Sequence, residues 1–130
     1  MRAPMTSLAA LLVVSTAANA QEMLAGGAVP GQHFYCSFFN AGSGPVTLTN
    51  VHLRKLDGSR IDSESASQGF ENTCDDSPSL AQRRSCYVGA HFDPPSLFVS
   101  CRAVVTPNKI NVRGVLVGFA GSIAFSTDLR

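Results

Sequence analysis

Residues 97–119 decide the fold class; they read Leu97-Phe98-Val99-Ser100-Cys101-Arg102-Ala103-Val104-Val105-Thr106-Pro107-Asn108-Lys109-Ile110-Asn111-Val112-Arg113-Gly114-Val115-Leu116-Val117-Gly118-Phe119. Two runs rich in β-branched residues flank Pro107-Asn108. Each alternates with a period of two, at which successive side chains fall on opposite faces of a strand. Leu97, Val99, Cys101, Ala103 and Val105 share one face. A two-residue turn between the runs predicts a hairpin in which Val105 faces Ile110, Ala103 faces Val112 and Cys101 faces Gly114. Glycine opposite cysteine leaves room for the sulfur to reach a third strand or another sheet.

On the outward side of that hairpin the register sets Arg102 directly opposite Arg113. Like charges opposed across strands destabilise a pair, so an anionic group is expected between them. It is either internal, with Asp57, Asp62 and Glu64 as candidates for an arginine–carboxylate network, or external: a carboxylate, a phosphate or an acidic surface. Arg102 and Arg113 are therefore the candidate ligand-binding residues. Phe98, Val115, Val117 and Phe119 gather on the same face. There they line the other half of the fold, seat the N-terminal arm or form a partner surface, with a homodimer the simplest partner.

The alternation continues upstream. Phe34, Cys36 and Phe38 share a face of a strand over His33–Phe39, which the loop from Asn40 to Pro45 closes. In Val46–Leu56 the apolar positions jump from even (Val46, Leu48) to odd (Val51, Leu53), which predicts a β-bulge near Asn50. Asp57-Gly58 is a hairpin turn signal, followed by a weak, polar strand over Ser59–Ser63. Glu64–Arg84 is the least regular part, with Ser77-Pro78-Ser79-Leu80 able to start one helical turn. Cys86, Val88, Ala90 and Phe92 alternate again, Asp93-Pro94-Pro95 forms a loop, and Ile123–Phe125 makes a short last strand. No stretch sustains a helical period. The expected fold is an all-β, antiparallel β-sandwich of six to eight strands.

The 45% hydrophobic and 15% charged composition of the 130 residues suits one globular domain. Residues 1–20 read as a secretory signal peptide: Arg2, an apolar run Leu8–Val14, then small residues at Ala18 and Ala20 before a cut at Gln21. The apolar run is too short to span a bilayer, and no later segment is long enough. Residues 21–32, with the glycine-rich stretch Gln21–Gly31, form a flexible or edge-hugging arm. Residues 33–130 form the sandwich domain. Ten basic and nine acidic residues give a net charge of +1, and Arg2 leaves with the leader, so no long-range field favours nucleic acid. The destination is periplasmic or extracellular.

All four cysteines, Cys36, Cys74, Cys86 and Cys101, follow the leader, and export favours disulfides over zinc ligation. Three pairings are possible. Cys36 and Cys101 both point into the apolar layer by strand parity, whereas Cys74 and Cys86 flank a short polar segment. The expected bridges are Cys36–Cys101 and Cys74–Cys86, contributing about 4 and about 3 kcal/mol respectively by chain entropy.

Catalytic signatures are missing from the sequence: no G-x-S-x-G elbow, no H-E-x-x-H, no phosphate-cradling glycine loop and no dinucleotide fingerprint. His33, His52 and His91 fall at strand positions or ends and form no acid–base set. Cys101 is followed by no His or Met that would complete a blue-copper site, and Glu71, Asp75 and Asp76 lack the spacing of a calcium loop. No cofactor or metal is expected.

Phe34-Tyr35-Cys36-Ser37-Phe38-Phe39-Asn40, Pro45-Val46-Thr47-Leu48-Thr49, Leu53-Arg54-Lys55-Leu56-Asp57-Gly58, Cys101-Arg102-Ala103-Val104-Val105 and Asn111-Val112-Arg113 resemble stretches of a loose group of small exported proteobacterial proteins. The resemblance covers about half the chain after residue 20. It implies a secreted immunoglobulin-like sandwich and no activity. The extra residue near Asn50 and the acidic Cys74–Cys86 segment depart from the group's pattern. The expected role is a non-catalytic binding or structural module of the bacterial envelope. The alternatives are a subunit of a fimbria-like extracellular assembly, for which Gln21–Gly31 is a poor strand donor, or a small metal protein or hydrolase whose site assembles only in three dimensions.

Overall fold

In the computed structural model, which describes residues 21–66, 68–76, 78–93 and 97–130, the chain is built almost wholly from short antiparallel strands. They are β1 (Glu22–Ala25), β2 (Val29–Gly31), β3 (His33–Asn40), β4 (Val46–Lys55) and β5 (Gln68–Asn72), then a helical turn α1 (Thr73–Asp76). After it come β6 (Ser79–Leu80), β7 (Ser85–His91), β8 (Leu97–Thr106), β9 (Val112–Ala120) and β10 (Ile123–Leu129). The expected leader over residues 1–20 and the capping residue Ser77 lie outside the described residues. The one helical turn lies upstream of the Ser77–Leu80 position expected for it. Ser79 and Leu80 instead pair with Thr47 and Val46 of β4.

Two sheets carry the fold. One runs β1-β8-β4-β6, with β2 also paired to β8; the other runs β10-β9-β3-β7-β5. Alternation explains the packing between them: Phe34, Cys36 and Phe38 of β3 and Val99, Cys101, Ala103 and Val105 of β8 are all buried. Cys36 is bonded to Cys101, with Cα atoms 6.4 Å apart, and so ties the two sheets together through the core. Cys74 is bonded to Cys86, with Cα atoms 5.0 Å apart, and fastens α1 to β7. Both pairings are the expected ones, the first chosen by strand parity and the second by the short polar segment that Cys74 and Cys86 flank.

The β8–β9 hairpin does not form. β8 lies in the first sheet between β1 and β4, while β9 lies in the second between β3 and β10. Residues 107–111 cross from one sheet to the other. The Asn108 side chain accepts from the Ile110 amide, the Lys109 carbonyl accepts from the Val112 amide, and the Asn111 carbonyl accepts from Ala41. The physical reason is simple: a period of two fixes which face a residue presents, and both runs do face the core, but it does not fix which strand lies alongside. Ala103 therefore pairs with Leu24 rather than Val112, and Gly114 with Phe38 and Leu129 rather than Cys101. Phe98 likewise parts from Val115, Val117 and Phe119, since it belongs to the other sheet.

The segment expected as an arm belongs to the first sheet. β1 and β2 run antiparallel along β8, from Glu22 opposite Val105 to Gly31 opposite Leu97. Ala25 and Arg130 exchange backbone hydrogen bonds of 3.1 and 2.9 Å, which join the edges of the two sheets at β1 and the end of β10. The last strand is longer than the sequence suggested, reaching Leu129, because its polar residues face outward along an exposed edge.

The bulge in β4 is present. Thr49 pairs with Val104 and His52 with Arg102, so Asn50 and Val51 together oppose the single residue Ala103. Asn50 takes a positive φ of 52°, a conformation asparagine tolerates better than most residues. Beyond it, Asp57-Gly58 makes the expected turn, with Gly58 at φ 86°. The return strand shrinks to one bridge between Arg54 and Arg60, with bonds from the Lys55 amide to the Ser59 carbonyl and from the Ile61 amide to the Leu53 carbonyl.

Candidate functional site

The bulge has a chemical consequence. It switches the parity of β4, so that Val51 and Leu53 enter the core while His52 and Arg54 turn to the outer face. On that face His52 stands directly opposite Arg102 of β8, and Arg54 is bridged to Arg60 across the Asp57-Gly58 turn. Three guanidinium groups thus converge on one histidine.

The side-chain hydrogen bonds of Arg54 and Arg60 go to neutral acceptors. Arg54 donates through Nε and Nη2 to the Gly58 carbonyl at 3.2 and 3.1 Å, and Arg60 donates through Nη1 to the Asn50 side-chain oxygen at 3.0 Å. Two of the three carboxylates expected to neutralise the arginines, Asp57 and Asp62, are held within their own loops. Asp57 accepts from the Ser59 amide, and Asp62 accepts from the Glu64 and Ser65 amides and the Ser65 hydroxyl. Those Ser59 and Ser65 bonds hold both carboxyls below the usual carboxylate range.

His52 reports the field of the cluster. Burial lowers its pKa below 6.5, the Nδ1 contact to the Asn50 carbonyl at 2.7 Å opposes this, and the charges of Arg60, Arg54 and Arg102 lower it further. The neutral imidazole, donating from Nδ1, is therefore favoured. An anion at this face would meet guanidinium forks, the geometry suited to carboxylate or phosphate.

Arg102 and Arg113 are not brought together. Arg102 belongs to the cationic outer face of the β4–β8 sheet, whereas Arg113 lies on the outer face of the other sheet, opposite Phe39. There it lines a cleft of about 460 Å³ with Ser37, Ser85, Asp128 and Arg130, a setting of mixed charge. The opposition of Arg102 and Arg113 fell with the hairpin. His52, Arg54 and Arg60 were missed as partners of Arg102, although two signals pointed to them: the parity switch near Asn50, and the symmetric placement of Arg54 and Arg60 about the Asp57-Gly58 turn.

Among the described residues, no three His, Cys, Asp or Glu side chains converge as a metal site would require, and no helix is long and apolar enough to cross a membrane. Glu71 lies on β5, its carboxylate accepting from the Tyr87 hydroxyl and raising that phenol's pKa, while Asp75 and Asp76 lie in α1.

No protein-family model matches the chain, and no curated protein does. Among solved structures it is similar to one from Thermotoga maritima, described as "Crystal Structure of Thermotoga maritima 1070", at 11% identity and a TM-score of 0.41, over 86% of this chain and 93% of that one. A likeness at that level assigns neither a fold family nor an activity.

Proposed function

We propose that the chain is an exported, non-catalytic binding module of the bacterial envelope or its exterior, and that it recognises an anionic group through the outer face of the β4–β8 sheet. One observation carries the reading: Arg54, Arg60 and Arg102 gather around His52, and among the described residues Arg54 and Arg60 spend their side-chain hydrogen bonds on neutral acceptors rather than carboxylates. Charge left uncompensated on a rigid sheet is a preorganised anion site. Arg54 and Arg102 are only half-exposed, so their positions are set by packing as well as by charge.

Export is supported by the leader-like pattern of residues 1–20 and by two disulfides, which suit an oxidising compartment. The immunoglobulin-like character is carried by the resemblance to small exported proteobacterial proteins. A self-contained module is favoured over a fimbria-like subunit because β1 and β2, the segment weighed as a strand donor, pair with the chain's own β8.

The test is a titration with sodium phosphate followed by backbone amide NMR, repeated on the R54Q/R60Q/R102Q variant. Shifts concentrated on β4, β8 and the Asp57-Gly58 turn, lost in the variant and weakened by added chloride, are expected. Shifts around Arg113 and Arg130 instead, or none up to tens of millimolar phosphate, overturn the reading.

A further inference from the structure

The strand pairing of the second sheet brings together two histidines far apart in sequence. His33 of β3 stands directly opposite His91 of β7, with ring centroids 3.9 Å apart and Nδ1 atoms 3.1 Å apart. In the metal-free pair one Nδ1 carries the proton and donates to the lone pair of the other. The lone pair of one Nδ1 thus faces the N–H of the other.

We infer that His33 and His91 form a two-histidine clamp for a divalent transition-metal ion, copper(II) ahead of zinc. Two imidazole nitrogens bound at about 2.0–2.1 Å to one ion, at angles between square-planar and tetrahedral, lie about 2.9–3.4 Å apart. The observed separation of 3.1 Å falls inside that interval, and with the rings tilted by 39° and their centroids 3.9 Å apart the His33 ring turns to bring its lone pair onto the shared ion. Both residues sit on paired strands of the second sheet, each strand with a further neighbour on its other side. His91 is buried and fixed, while His33 is exposed and can rotate its ring to aim the second lone pair. Binding moves the donor ring's proton from Nδ1 to Nε2, which frees the Nδ1 lone pair for the ion.

The surroundings leave room for the rest of the coordination shell. The pair opens onto a cleft of about 220 Å³ lined also by Tyr35, Gly69 and Ala90. Gly69, at φ 66°, passes the clamp without a side chain, and a Cβ placed there would come within 3.8 Å of the His91 Cβ. Because no third His, Cys, Asp or Glu joins the pair among the described residues, water or an external ligand completes the shell. Imidazole donors with open positions place copper(II) first in the affinity order of the divalent ions. The site lies on a different sheet from the arginine face and stands independently of it.

The test is titration of the chelator-treated protein with copper(II) chloride, and separately with zinc chloride, read by calorimetry and, for copper, by electron paramagnetic resonance. The expected result is one copper per chain with hyperfine structure from two imidazole nitrogens, weaker zinc binding, and at least a tenfold loss of copper affinity in H33Q. His33 is exposed, so that variant should fold; H91Q should behave alike, and H52Q should bind as the parent does. Absence of a single-equivalent site up to millimolar copper, or copper binding unchanged in H33Q, overturns the inference.

Discussion

Replacing Cys36 and Cys101 together by alanine removes the cross-link between the sheets, and the loss follows from the length of chain it encloses. A separation of 65 residues withdraws about 4 kcal/mol of chain entropy from the unfolded state, against about 3 kcal/mol for the 12-residue separation of Cys74 and Cys86. Cys36 and Cys101 are also almost fully enclosed, at 0% and 1% exposure, so truncation leaves a void worth about 1 kcal/mol more. C36A/C101A should therefore lose about 5 kcal/mol, a large part of the roughly 5–15 kcal/mol that holds a domain folded. Urea denaturation followed by circular dichroism, with a slope of about 1.5 kcal/mol per molar, should show the midpoint falling by about 3 M, against about 2 M for C74A/C86A. A loss under about 1 kcal/mol for C36A/C101A, or a milder loss than for C74A/C86A, would refute the placement of that bridge in the load path between the sheets.

Asn40 is fully buried; its Nδ2 donates to the Gly44 and Leu80 carbonyls and its Oδ1 accepts from the Gly42 amide. Asn40→Ala should cost about 2 kcal/mol in a thermal or urea melt by stranding the Leu80 carbonyl in the interior, and a change below half of that contradicts the role. At the bulge, Asn50→Val should lose about 1–2 kcal/mol because a β-branched residue resists positive φ, while Asn50→Gly should stay within about 0.5 kcal/mol; equal losses would point to the side-chain bond with Arg60 instead. A Cβ at Gly118 would collide with the Pro30 carbonyl and come within 3.1 Å of the Phe34 ring, whereas one at Gly27 would meet nothing within 4 Å. Gly118→Ala should thus lose about 2 kcal/mol in the same melt and Gly27→Ala almost nothing, and a tolerated Gly118→Ala would mean β2 and β9 are not in close contact.

Periodicity made the faces of this fold legible, and contact partners much less so. Phe34, Cys36 and Phe38, and again Val99, Cys101 and Ala103, point inward as their alternation requires, and from parity alone the bridge between them could be chosen. The break in parity at Asn50 likewise announced the bulge. The neighbours of β8 and β9 could not be read, because either strand would show the same alternation in one sheet or in two facing sheets. Asn40 looked like a loop residue, since its anchor at Leu80 lies 40 positions away. Of the four residues of the candidate site, the sequence singled out only Arg102. The other three needed the bulge and the turn together, because only their combination sets Arg54, Arg60 and His52 beside it.

The claim that three arginines converge on His52 is tested most directly by the pH titration of that ring by proton NMR. Burial and the charges of Arg60, Arg54 and Arg102 outweigh the bond to the Asn50 carbonyl, so His52 should titrate below 6.5. The native state then binds fewer protons than the unfolded chain, so this residue's contribution to stability is present above 6.5 and is lost as pH falls through that value toward the native pKa. The account predicts a value below 6.5 that rises in R54Q/R60Q/R102Q and rises again in the parent protein with saturating phosphate. A His52 that titrates at or above 6.5, or that ignores both the substitutions and the anion, would contradict it.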